Sequence, residues 1–256
     1  MMKNGPFTLE VCVDSVESAV AAEKGGADRL ELCANLVIGG TTPTPALFHA
    51  VRKAVNIPLH VMSRPRFGDF CYSEYEVSVM EEELQLFSLL GADGAVIGAL
   101  TPDGALDLPA MRRLKNAAGE MRCTLHRCFD VCADMEQTLE VAVSLGMHTI
   151  LTSGGQADCI RGASVLKQLA LQADGRIEIM AGAGLRAENI RALYEETGVR
   201  SFHMSGKKTE LSPMRYRKES VHMGLPGISE YERGICDEEQ IRRAFAALGG
   251  LEDFTA

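Results

Sequence analysis

The chain has no tryptophan, no Cys-x-x-Cys pair and no run of about 18 consecutive apolar residues. The missing tryptophan carries no functional message. Without paired cysteines at that spacing, no zinc ribbon or thioredoxin-type site is announced, and without the apolar run no helix is expected to cross a membrane. Basic residues are also scarce: 26 Lys and Arg against 35 Asp and Glu leave a net charge of −9. That balance argues against a nucleic-acid partner, which would need a basic face. The opening segment MMKNGPFTLEVCVD lacks the apolar core of a secretion signal, because Glu10 and Asp14 interrupt it. The eight cysteines are therefore expected to be reduced thiols in the cytoplasm.

What is present is length and alternation. At 256 residues and 46% hydrophobic content the chain can bury one large core, and that is the usual size of a single (β/α)8 barrel. Apolar, β-branched runs predict strands near 7–13, 29–33, 58–64, 94–100, 122–129, 149–153, 177–182 and 201–205. Stretches of helical period such as SVESAVAAEKG, MEQTLEVAVSLG and AENIRALYEETG lie between them. The alternation predicts an α/β fold, one TIM-barrel domain over residues 1–256, rather than an open sheet. Gly26, Gly91, Gly146 and Gly198 each stand where a helix should stop before the next strand, in the left-handed position that favours glycine. Residues 65–72 (PRFGDFCY) read as a loop over the third strand. Residues 207–236 read as a long loop excursion before the last helix, locally basic through Lys207, Lys208, Arg215 and Arg217. Connections longer than ~12–15 residues in a compact domain are usually lids or disordered. A solvated surface loop or a subunit contact stands equally open.

Side chains alternate across a strand. Leu9, Val11, Val13, Leu30, Leu32, Leu59 and Val61 should face the helices. The opposite parity, Glu10, Cys12, Glu31, Cys33, His60, Met62, Arg64, His126, Glu178, Met180, His203 and Ser205, should face the barrel interior. Such interiors are normally filled by Val, Ile and Leu, and buried charge is costly unless paired. Two explanations stand side by side. Glu10 or Glu31 pairs internally with Arg64, or the polar groups form a ligand site where Arg64, His126, Asp130, His203 and Ser205 converge at the C-terminal mouth. In the second, Arg64 and Arg66 hold a small anion, and Arg66, beyond Pro65 with no strand partner, is the better placed of the two. Gly182 and Gly184, with Ser205 and Gly206, offer a phosphate cradle. The candidate catalytic groups are Glu10, Glu31, Arg64, His126, Asp130 and His203, with His126 or Glu31 as acid or base. Cys12 and Cys33 fall on neighbouring strands beside His60 and Met62, a soft donor set that suits Cu(I). A buried cysteine is also often a small hydrophobe.

The segments EVCVDS, GGADRLELC, GGTTPT, SRPRFGDFCYS, HRCFD, ILTSGG, IMAGAG, HMSG and SPMRYR follow one another across nearly the whole chain. In this combination the sequence resembles the CutC family of bacterial copper homeostasis proteins, which adopt a TIM barrel. The resemblance implies a cytoplasmic protein linked to copper tolerance, with Cu(I) binding proposed and a tendency to form homo-oligomers. Glu10, Glu31, Arg64, Arg66, Asp69, His126, Asp130 and Ser205 stand at matching motif positions. The family's copper proposal corresponds most naturally to Cys33 in the ELC motif. Ser63 before RPR and Cys128 in HRCFD depart from the family's usual residues without touching the charged groups. Three expectations follow: a Cu(I)-binding protein using Cys12 and Cys33, a barrel enzyme acting on a small anionic or phosphorylated metabolite, or a structural oligomer with a merely paired interior.

Overall fold

The computed structural model describes residues 7–249, with 219, 222 and 226 excepted. Strand β1 (Thr8–Val13) lies beside β2 (Arg29–Leu32), and around the barrel follow β3 (Leu59–Met62), β4 (Gly94–Ile97), β5 (Arg122–Leu125), β6 (Thr149–Thr152), β7 (Glu178–Ala181) and β8 (Ser201–Met204). The last pairs back onto the first, closing an eight-stranded parallel barrel in sequence order. Helices α1 (Val16–Gly25), α2 (Pro45–Ala54), α3 (Glu74–Leu89), α4 (Leu108–Ala118), α5 (Met135–Ser144), α6 (Ala163–Ala173) and α7 (Ala187–Thr197) each follow one strand, and α8 (Glu238–Gly249) completes the ring. The expected (β/α)8 barrel is the observed one.

Local chemistry sets these boundaries. Ser15, Thr44, Asp107 and Asp134 each accept a first-turn amide of their helix, and Ser73 with Glu76 forms a reciprocal capping box at α3. At the other ends Gly26, Gly91, Gly146 and Gly198 take φ of 103°, 83°, 69° and 73°, the left-handed stop the sequence calls for. The predicted parity also holds. Leu9, Val11, Leu30, Leu32, Leu59, Val61, Leu125, Ile150 and Phe202 are fully buried and share one core with helix residues such as Phe48, Met80, Phe87 and Leu166. A second, small cluster of Cys33, Met62 and Val96 is separate from that core.

The third and fourth strands end at Met62 and Ile97, short of the expected 64 and 100, and two further segments differ more. The fifth strand stops at Leu125 instead of reaching 129, because His126 turns its ring back to accept the Cys128 amide at 3.2 Å and caps a 3-10 turn over Arg127–Val131. The excursion at 207–236 is not all loop. Its ends pair as an antiparallel ribbon, β9 (Lys207–Leu211) with β10 (Glu232–Cys236). Ser18 at the start of α1 accepts the Cys236 amide at 3.1 Å, and Gly206 accepts that of Asp237 at 2.8 Å. The ribbon is thus tied to the barrel at its base. Residues 212–231 join its two strands; three of them lie outside the described residues. Among the described residues no helix is long and apolar enough to cross a membrane.

Candidate functional site at the barrel mouth

The barrel axis carries a network of buried charges. Glu10 is fully buried on β1, and strand register places it level with Arg29 on β2 and His203 on β8. Arg29 Nε donates to Glu10 Oε2 at 2.5 Å, and His203 Nδ1 meets Glu10 Oε1 at 2.7 Å. Arg29 also approaches Glu178 at 3.8 Å, whose two oxygens accept the hydroxyls of Thr149 and Ser201. Burial raises the Glu10 carboxyl, but Arg29 and His203 outweigh it and hold it well below the usual carboxylate range. Of the two explanations for the buried charge, the internal one paired Arg64 with Glu10 or Glu31; the structure gives Glu10 to Arg29 instead, a residue not among the inward candidates. Arg29 shares the inward parity of Glu31 and Cys33, and that is the signal that could have found it.

One step toward the mouth, register sets Cys12 opposite Glu31, not opposite Cys33. One donor atom each from Cys12, Glu31 and His203 lies within 4.8 Å of the others. His203 is the hinge of this group: its Nδ1 is held by Glu10, so Nε2 is turned toward Glu31, at 3.9 Å from Oε2. Burial opposes a charge on His203, but Cys12, Glu31 and Glu10 together raise its pKa well above the ordinary value. Burial, together with the Glu10 charge, raises that of Glu31. Cys33 stands apart from this trio. Its buried thiol donates to Glu31 Oε2 at 3.5 Å, is pushed well up by burial and by Glu31, and does not line the open cavity that Cys12 lines. Cys236 on β10, which the sequence reading did not single out, does line it, with its thiol pushed up to about 12 by burial.

Above this group opens a cavity of about 1030 Å³, lined among others by Cys12, Glu31, Arg64, Phe70, His126 and His203, and roofed on one side by the β9–β10 ribbon. Arg64 is buried beneath it, beside the Tyr72 hydroxyl, and its terminal nitrogens are held by backbone: Nη1 donates to the carbonyls of Gly40 (2.9 Å) and Ile38 (3.3 Å), and Nη2 to that of Gly68 (2.8 Å). Its guanidinium carbon lies 5.1 Å from the centre of the Phe70 ring. Among the described residues no carboxylate forms an ion pair with it. Arg66, the arginine expected to face an anion, does the opposite. Its fork is taken by Glu76 (2.5 Å), Asp69 (3.0 Å) and the carbonyl of Cys71 (2.9 Å), which ties residues 66–76 together and keeps Arg66 itself off the cavity wall. Two carboxylates close in sequence reach it first.

His126 is buried, with a pKa lowered to about 3 by burial and by the Arg64 charge, so its ring is neutral. Asp130, expected beside it at the mouth, is used up as a fastener: it accepts Thr152 Oγ1, the Ser153 amide and hydroxyl, the Gly155 amide and Arg127 Nε. The glycines expected to cradle a phosphate serve close packing. A Cβ on Gly182 would meet Leu151 at 2.6 Å, one on Gly184 would meet Asp158 at 3.0 Å, and one on Gly206 would meet Ile241 at 2.3 Å. Gly184, Ser205 and Gly206 line a second hollow beside α7, and Ser205 alone of these borders the main cavity as well.

Comparison with known proteins agrees with this architecture across the chain. The CutC family model matches residues 7–208. A CutC family protein of Bacteroides thetaiotaomicron is 44% identical over 244 residues, covering 94% of this chain and 98% of that one. The copper homeostasis protein cutC homolog of Homo sapiens is 44% identical over 237 residues, covering 92% and 87%. Among solved structures, the CutC crystal structure from Streptococcus agalactiae superposes with a TM-score of 0.73 at 32% identity, covering 78% of this chain and 98% of that one. With the barrel, the motif residues and these relatives in agreement, the chain belongs to the CutC family.

Proposed function

We propose that the chain binds Cu(I) as cargo at the mouth of its barrel and serves copper homeostasis, the role for which its human and streptococcal relatives are named. The observation that carries this reading is the convergence of Cys12, Glu31 and His203 within 4.8 Å. A thiolate and an imidazole suit Cu(I), and a metal-binding imidazole is commonly oriented by a carboxylate on its far nitrogen, the part Glu10 plays for His203. Binding displaces a proton from His203, whose pKa is raised, so affinity should rise with pH. All eight cysteines are free thiols, which supports a reducing, cytoplasmic setting. Exposed Tyr75, Val79, Leu86 and Leu89 on α3 support self-association.

Anaerobic titration against a chromogenic Cu(I) chelator tests the site. One Cu(I) per chain is expected. Cys12→Ser should weaken it by about 100-fold, as loss of a metal ligand does at the least, whereas Cys33→Ser, outside the trio, should change it only a few-fold. Equal binding by wild type and a well-folded Cys12→Ser protein would remove this assignment. A larger loss in Cys33→Ser than in Cys12→Ser would return the site to the buried thiol.

A further inference from the structure

The copper reading uses the side of the mouth built by β1, β2 and β8 and leaves the opposite side unexplained. There Arg64, 7% exposed, is a buried cation that no carboxylate neutralises among the described residues. Arg29, equally buried, has Glu10 and Glu178. Backbone carbonyls occupy both terminal nitrogens of Arg64, and its Nε–H makes no hydrogen bond; the neutral Tyr72 hydroxyl beside the guanidinium, also buried without a hydrogen bond, brings no charge to it. Beside it, His126 presents the same anomaly. Its Nδ1 accepts the Cys128 amide, and in a neutral ring the proton is then on Nε2, a donor that is buried and also unpartnered. Buried donors are rarely left without an acceptor. The two residues line one cavity with these donor atoms covered, and the half-buried Phe70 ring joins them, 5.1 Å from the Arg64 guanidinium carbon and 4.8 Å from the His126 ring.

We propose that Arg64 and His126 form the head-group site for a small organic monocarboxylate, whose apolar part lies against Phe70, Leu36 and Ile38 in the same cavity. The two oxygens of a carboxylate supply one acceptor for each orphan donor, and its single negative charge neutralises the Arg64 guanidinium, which has no ion pair among the described residues. A phosphate dianion fits poorly, because the wall also carries the carboxylates of Asp14, Glu17, Glu31, Glu210 and Glu232. Of the other cations on that wall, Arg127 is paired with Asp130 and Arg233 with Glu210, and Lys207 lies on the β9–β10 ribbon with its chain against Gly234. Phe70 packs against both side chains, so a carboxylate that reaches their donors turns its ring aside. Leu36 and Ile38 border the same space on the loop whose carbonyls hold Arg64, which gives the chain behind the carboxylate an apolar wall.

The site is independent of the copper ligands, and the test keeps the two apart. Butyrate, butyramide and inorganic phosphate are titrated at constant ionic strength into the full chain while its backbone amide NMR signals are followed. Butyrate should bind saturably and shift amides of residues 36–40, 64–70 and 126–128. Butyramide and phosphate should bind at least about tenfold more weakly, the worth of one charge-assisted hydrogen bond. His126→Phe, which keeps the ring against Phe70 but deletes the donor, and Arg64→Gln should each weaken butyrate by about tenfold or more. Cys12→Ser should leave butyrate within about twofold. If Arg64→Gln does not fold, His126→Phe decides by itself. The proposal is overturned if butyrate fails to saturate below about 50 mM, if phosphate or butyramide binds as well as butyrate, or if His126→Phe binds it like wild type.

Discussion

Replacing Arg29 by Met is the sharpest test of how the barrel tolerates its polar axis. Arg29 gives Glu10 a 2.5 Å charge-assisted bond, approaches Glu178 at 3.8 Å and touches the Met180 sulfur at 3.3 Å. Arg29→Met conserves most of the side-chain volume and leaves the fully buried Glu10 with the His203 hydrogen bond and a neutral His60 at 3.9 Å. Breaking a buried ion pair by deleting one partner costs about 3–5 kcal/mol. Because His203 still neutralises Glu10 in part, the lower end applies, about 3 kcal/mol. At about 2–4 °C per kcal/mol for a domain approaching this size, the melting temperature should fall by about 6–12 °C. Far-UV circular dichroism melts at pH 7, repeated in urea, read this out. The double variant Glu10→Gln/Arg29→Met removes the stranded charge together with its partner and should cost less than the sum of the single changes, by about 1–3 kcal/mol. A loss below about 1 kcal/mol in Arg29→Met, or strict additivity in the double variant, would refute the view that this pair balances the interior.

Two further outcomes follow from the layer around His60. A methyl group at Gly94 would lie 2.4–2.5 Å from the His60 ring, so Gly94→Ala should destabilise the barrel by overpacking, about 1–3 kcal/mol in denaturant titrations. The same substitution in a His60→Ala background should cost clearly less, and an equal cost would show that the ring is not the obstacle. His60 also makes stability depend on pH. Burial lowers its pKa from 6.5 to about 4, with Arg29 and Arg122 adding to that and Glu10 and Asp93 opposing it. Below pH 6.5 the unfolded chain takes up a proton that the folded chain refuses, so stability is lost as pH falls from 6.5 to about 4 and not further below. The stability of wild type minus that of His60→Leu should fall by up to about 1.4 kcal/mol per pH unit across that window and be flat above it. A flat difference throughout would mean that His60 titrates normally in the folded chain.

The alternation of strands and helices and the inward parity of the polar residues are local properties, and both were legible in the sequence. Which inward residues meet was not, because that depends on strand stagger. Cys12 and Cys33 are inward residues of neighbouring strands, yet register gives Cys12 to Glu31 and leaves Cys33 one step further along. Arg64 lies beyond the end of β3 at Met62, whereas Glu10 lies level with Arg29 near the start of β2, so the expected Arg64–Glu10 pair would have to span the depth of the barrel. Arg66 failed as an anion contact for a different reason. Asp69 and Glu76 lie three and ten residues away, and a loop that folds back in so short a span delivers its own carboxylates before a ligand arrives. Asp130 was misplaced by the same kind of event: the strand ended early, and the 3-10 turn aimed it at the β6 loop instead of the mouth.

The division of the mouth into two chemistries has a cause in β4, a strand that adds no polar side chain to either side. A Cβ on Gly94 would strike the ring of His60, and one on Gly98, just past the strand end, would lie 2.6 Å from His126 Cε1 and 2.4 Å from the Cys128 sulfur. Neither glycine has a positive φ, so what both positions require is the absence of a side chain rather than backbone freedom. The two glycines sit four residues apart on the inward parity, and at each level they let an imidazole from a neighbouring strand lie across β4. One is His60 from β3, below; the other is His126, above. The lower histidine, neutral, lies 3.9 Å from Glu10, the carboxylate that orients His203 and, through it, the thiol side of the mouth. The upper one stands with Arg64 and Phe70 on the opposite side. A strand that contributes only space therefore determines where both histidines sit. That is why a barrel whose interior should be filled with Val, Ile and Leu can hold a soft, acidic site and a cationic one in a single cavity without the two sets pairing each other off.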